Sequence, residues 1–158
     1  MLSNPFARIL PPLGDRNLVR AAWNLMKAVP GGPILFSRLI GRAAPYTGTI
    51  GARVTALRDG HAEVVMPDRR AVRNHLRSIH PVAMVSLAEL AGNVAMAYSM
   101  PDDARFIVAG LSIDYRKNAR GLITATCDCP IPRTNARRLY DVPVILRDGD
   151  GDEVARAN

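Results

Sequence analysis

Aromatic residues make up only 5% of this 158-residue chain, so the stacking surfaces that a single-strand nucleic-acid binder presents are poorly supplied. The arginines are scattered rather than clustered. Nucleic acid therefore ranks low among partners, although a net charge of +7 favours anions in general, from acidic lipid to a phosphorylated cofactor such as coenzyme A. The two cysteines, Cys127 and Cys129, cannot complete a four-ligand zinc site. Two apart in a strand, they point to one face and read as small buried hydrophobes in a reducing compartment. No phosphate-binding glycine motif and no internal repeat are found. The first residues lack the order of a secretory signal, so a cytoplasmic protein is expected. No apolar run reaches the roughly 20 residues of a membrane span, so none is expected. Asp148, Asp150 and Asp152 have the spacing of a calcium loop, but Glu153 stands where that loop needs glycine. A hairpin turn is the expected reading, with no metal and no cofactor.

What is present suits one domain with its own core. Residues 1–46 read as an N-terminal helical extension. Prolines at 5, 11, 12, 30, 33 and 45 and the pair Gly31-Gly32 divide it, leaving an amphipathic helix over 16–29 and a shorter one from Pro33 through Ile40 that stops at Gly41. The expected place of these helices is over the domain's own sheet or a dimer seam. From Thr47 the period changes to alternation, with a first strand carrying Ile50, Ala52, Val54 and Ala56 inward. Asp59-Gly60 makes a turn, and a second strand carries Ala62, Val64 and Met66 inward. Beyond residue 100, strands are expected over 105–115, 122–129 and 139–147, with Pro143 arguing for an edge or a bulge in the last. Short connections favour antiparallel pairing. The expected class is α+β, a sheet wrapped around one long helix, with residues 47–158 as that domain.

The helix is the stretch entered from Asn74. From Pro81 to Met100 every residue is apolar or small except Ser86, Glu89, Asn93 and Ser99. Such a helix must be surrounded by structure, and a carboxylate inside it is costly unless paired or used. Glu89, the one ionisable group among these four, is the leading candidate for chemistry. Ser86 and Asn93 lie one turn to either side on the same face and could orient it or a water.

The order asparagine, histidine at the helix start, acid on the second turn (Asn74, His80, Glu89) resembles hotdog-fold thioesterases related to phenylacetyl-CoA thioesterase. The helical N-terminus and the segment from Ser112 to Gly121 are more similar to an uncharacterised bacterial branch of that superfamily. The resemblance implies a hotdog fold, an acyl thioester as substrate with coenzyme A as part of it, and a homodimer or tetramer. It implies Glu89 as general base or nucleophile, Asn74 holding the water or thioester carbonyl, and His80 at the site.

One departure stands inside the motif. The family places glycine after the histidine and uses its backbone N–H for the oxyanion, whereas Pro81 has none. The next N–H groups, of Val82 and Ala83, are the expected substitutes, because helix starts carry unpaired donors. Lys117, Arg120, Arg137 and Arg138 are candidates for the coenzyme A phosphates. Two alternatives stay open: a non-catalytic acyl-binding or scaffold dimer, and a hotdog dehydratase or hydratase that would pair His75 with Glu89.

Overall fold

The computed structural model describes residues 17–158; the prolines at 5, 11 and 12 and the start of the expected first helix at Arg16 lie outside them. Three helices, α1 (Leu18–Met26), α2 (Gly32–Ala43) and the single turn α3 (Pro45–Gly48), lead into strands β1 (Arg53–Arg58) and β2 (His61–Met66). A 3-10 turn (Arg70–Val72) precedes the long helix α4 (Pro81–Ser99). Four strands follow: β3 (Ile113–Tyr115), β4 (Ile123–Asp128), β5 (Val144–Arg147) and β6 (Glu153–Ala157). The strands form one antiparallel sheet in the order β1-β2-β4-β5-β6-β3. It curls around α4, which packs on β1, β2, β4, β5 and β6. This is the α+β hotdog architecture expected from the sequence.

Period-two alternation sets the inner face of the sheet. Ala62, Val64, Met66, Ile123, Ala125, Cys127 and Leu146 are all fully buried against the inner face of α4, with Leu87, Ala91 and Ala95 opposite. The first strand departs from the expected register. A bulge between Val54 and Ala56 turns Leu57 rather than Ala56 into the core, because one extra residue flips every later side chain to the other face. The stretch before it is also corrected: residues 45–48 close a helical turn behind Pro45, and β1 starts only at Arg53. Helix α2 likewise runs through Gly41 to Ala43. That glycine serves contact rather than termination, since a Cβ on Gly48 would lie 2.7 Å from the Gly41 carbonyl oxygen.

The expected strand over 105–115 is paired only at its end. Residues 113–115 bond to β6 and Ser112 exchanges two hydrogen bonds with Asn158, while residues 105–111 run beside no strand among the described residues. Pairing of the last expected strand, 139–147, is likewise confined to β5, after Pro143, which lacks the N–H a ladder needs. The acidic stretch near the C-terminus is a hairpin turn, with Asp148 Oδ1 accepting from the amides of Asp150 and Asp152.

Helix α4 is 19 residues long, and its 18-residue window has a mean hydropathy of 1.3, long and apolar enough by composition to cross a membrane. Two thirds of that window, 67%, is buried inside the domain, so the wrapping sheet accounts for its apolarity. The N-terminal helices share the same core: Trp23 packs edge-on against Phe36 at 5.1 Å, and both belong to the cluster around α4. Helix α1 also closes the far end of α4. The Asn17 side-chain amide donates to the carbonyls of Ala97, Tyr98 and Met100 at 2.6, 3.2 and 3.1 Å, and Arg20 Nε donates to that of Tyr98 at 2.9 Å. The unpaired carbonyls of a helix end thereby receive side-chain donors. Cys127 and Cys129 are both free and buried; hydrogen bonding to Cys129 and burial push the Cys127 thiol up, keeping it protonated.

Candidate active site

The candidate catalytic residues read from the sequence, Asn74, His80, Ser86, Glu89 and Asn93, lie on α4 or the loop that feeds it. Beyond the first turn of α4, where Pro81 and Val82 are exposed, the partly covered positions recur every four residues, at Val85, Glu89, Asn93 and Ala97. With 3.6 residues per turn these form one stripe. Glu89 is half-buried on it, with no hydrogen bond or salt bridge to its carboxylate among the described residues. One turn earlier Ser86 is 3% exposed, and its Oγ is a buried hydroxyl without any partner. Buried hydroxyls are nearly always paired. Asn93 follows on the next turn, half-buried.

The helix start is capped from within the chain. His80 is the N-cap, its Nδ1 accepting from the Val82 amide at 3.1 Å, and Pro81 takes the first helical position. The Ala83 amide donates to the His80 carbonyl at 2.9 Å. Both N–H groups expected to receive an oxyanion, Val82 and Ala83, therefore already have acceptors. The Tyr115 hydroxyl is a donor that sequence reasoning passed over. It reaches back from β3 to donate to the Pro81 carbonyl at 3.2 Å, and desolvation there raises its pKa above the ordinary phenol value. The only signal for it was its place in the segment 112–121.

Asn74 organises the loop before the helix. Its Oδ1 accepts from the amides of Leu76 and Ser78 at 2.9 and 3.2 Å and from the Ser78 hydroxyl at 3.1 Å. That is the local turn chemistry asparagine favours. Its Nδ2 has no acceptor among the described residues and stays available. His75 is exposed in the same loop. Along the helix, nine residues separate His80 from Glu89, about 13 Å at 1.5 Å per residue. One chain therefore brings Asn74, His80 and Pro81 together at one end and Glu89, Ser86 and Asn93 further along, without joining the two groups at one reacting atom.

The residues expected to bind phosphate are placed unevenly. Lys117 is engaged: its ammonium lies 2.7 Å from Asp148 and 2.6 Å from Asp152, and these contacts hold its pKa well above the usual lysine value. Arg120, Arg137 and Arg138 are exposed, with Arg138 over the Tyr140 ring. Sequence reading missed a tighter basic group. Arg70, Arg73 and Arg77 wall a cleft of about 560 Å³ together with Asn74.

The sheet wrapped around one long helix defines a hotdog domain. A family model for a domain of unknown function, DUF4442, matches residues 32–158, and the chain belongs to that family. Among solved structures, the structural-genomics protein APC5556 is 32% identical, with 88% of this chain and 92% of that one covered at a TM-score of 0.76. PA5026 of Pseudomonas aeruginosa, named a probable thioesterase, is 24% identical over 79% of this chain and 91% of its own, TM-score 0.66. The thioesterase HI1161 of Haemophilus influenzae is 16% identical over 77% and 82%, also at 0.66. No curated protein matches the chain significantly.

Proposed function

We propose that this chain hydrolyses an acyl thioester of coenzyme A, with Glu89 as general base or nucleophile, in the cytoplasm. The observation that carries this is the position of Glu89: the one carboxylate of α4, on the stripe that the chain leaves partly open beyond the first turn of that helix. Thioester hydrolysis gives a use to a carboxylate in a helix that carries no other acid or base side chain of Asp, Glu, Lys, Arg or His. As base, the carboxylate takes a proton from water while the water oxygen bonds to the thioester carbon. The resulting oxyanion collapses, the carbon–sulfur bond breaks, and the proton passes to the leaving thiolate. Ser86 and Asn93 orient Glu89 and the water. Asn74 Nδ2 and the Val82 amide, once it leaves His80, face the oxyanion.

The separation of about 13 Å between helix start and Glu89 implies that the working site takes its two halves from two copies. An edge for that assembly is at hand. Residues 105–111 pair with no strand among the described residues, with Phe106, Ile107, Val108 and Leu111 exposed, and such a segment next to β3 can serve as a template for pairing with another chain.

The test is release of coenzyme A from acyl-CoA esters of graded chain length by the purified protein and by Glu89→Gln. Release that collapses in a folded Glu89→Gln supports the reading. A second reading is favoured by Pro81 and by the occupied amides of Val82 and Ala83: a dimer that binds acyl chains without cleaving them. Acyl-chain binding with no release by either protein would establish it. Water addition to an enoyl thioester that needs His75 as well as Glu89 would point instead to a dehydratase.

A further inference from the structure

We propose that the cleft walled by Arg70, Arg73, Asn74 and Arg77 binds the phosphate groups of coenzyme A, the carrier half of the substrate. The identity of the carrier rests on the thioesterase reading; the anion site rests on the cleft itself. Its volume of about 560 Å³ is in the range of small-ligand sites and holds several phosphate groups. Three arginines and one asparagine line it. Guanidinium forks match phosphate oxygens two at a time, and no aromatic ring among these residues offers a base a stacking surface.

The charge balance in the cleft is positive. Asp68 binds Arg73 Nε at 2.5 Å and accepts the Gly121 amide at 3.0 Å, so one acid braces one arginine to the loop before β4. Arg70 and Arg77 form no salt bridge among the described residues. Arg77 is held in an unusual backbone state, φ +59°, the one positive φ outside glycine among the described residues. The Asn74 carbonyl accepts its amide at 3.1 Å, closing the turn that Asn74 Oδ1 fastens from the other side. The turn is further fixed by the His80 amide donating to the Val72 carbonyl at 2.8 Å. A turn so pinned fixes where the three arginines leave the backbone, and Arg77 stands four residues before Pro81, the first residue of α4, where the thioester would sit. Of the basic residues expected from sequence, Lys117 is already neutralised by two carboxylates.

Calorimetry on the full chain tests the assignment with coenzyme A, 3′-dephospho-coenzyme A and 4′-phosphopantetheine as probes, at two salt concentrations. Arg70→Ala and Arg77→Gly are the variants. Both side chains are exposed, and glycine accepts the left-handed backbone at 77, so unfolding curves should match the wild type. Each variant should weaken coenzyme A binding about tenfold or more and reduce its salt dependence, and phosphopantetheine should bind less tightly than coenzyme A. No binding of coenzyme A to the wild type, equal affinity in the variants, or phosphopantetheine bound as tightly as coenzyme A would each overturn it. Arginine-dependent coenzyme A binding without hydrolysis leaves the cleft standing and removes the activity. Hydrolysis with an unchanged KM in both variants does the reverse.

Discussion

The Val82 amide donates to Nδ1 of His80 at 3.1 Å, so the first N–H of the central helix is satisfied by the side chain two residues before it. Aspartate or asparagine can make the same cap; alanine cannot. His80→Ala should lower unfolding free energy by about 1 kcal/mol, and His80→Asn should restore most of it. Denaturant unfolding of the three proteins checks this. If His80 only caps, kcat in the asparagine variant will match the wild type.

The lone Ser86 hydroxyl separates stability from function. A buried hydroxyl with no partner carries its desolvation cost uncompensated, so Ser86→Ala should leave stability unchanged or raise it by about 1 kcal/mol. If the hydroxyl serves Glu89 in the assembled site, kcat should fall about tenfold in the same variant, within the range such groups contribute. Thermal melts beside thioester kinetics distinguish the two roles. A loss of stability with full activity would make Ser86 a packing residue.

Ile107 is 87% exposed in the single chain, so Ile107→Lys removes no packing within it. Paired edges meet side chain to side chain, and a lysine from each copy would face its own kind. Sedimentation should find a smaller species for this variant, with an unfolding curve that no longer depends on protein concentration, and activity should disappear with the second copy. A wild-type sedimentation coefficient for the variant would rule this edge out.

Lys117 joins β3's following loop to the last hairpin through Asp148 and Asp152. The hydrogen bond from Lys117 leads the causes that hold the Asp148 carboxyl below its ordinary pKa. A depressed carboxylate stabilises the fold above its unfolded pKa and loses that contribution as pH falls through the folded value. Lys117→Ala should therefore be less stable than wild type at pH 6 and 7, with the gap closing below about pH 4, near the ordinary carboxylate value. Paired urea titrations across that range read it. A gap that persists at pH 2 would place the effect elsewhere.

The hotdog fold was legible because two periods carry it. Alternation at 62, 64, 66 and 123, 125, 127 wrote the sheet's inner face, and the run from Pro81 wrote the helix it encloses. Local spacing could not show the bulge after Val54, which depends on how β1 meets β2. Nor could it show that Gly41 was needed for a close approach to Gly48, because the partner lies across a loop. At the site, Glu89 stands out by charge in an apolar stretch, whereas the arginines at 70, 73 and 77 carry no spacing signal in the sequence and come to one cleft only through the turn around Asn74. Tyr115 belonged to a strand by pattern, and only the fold carries its hydroxyl to Pro81.

The clasp of Asn17 and Arg20 on the end of α4 has a bearing on what the family shares. The family model begins at residue 32, inside α2, so the donors for the carbonyls of Ala97, Tyr98 and Met100 come from outside the matched span. A fragment trimmed to the common region would keep every strand and all of the central helix, yet its last turn would have to find water or fray. Helix α1 is thus an accessory lock: whatever sets its grip on the distal turn of α4 also sets how firmly the helix bearing Glu89 is held at that end.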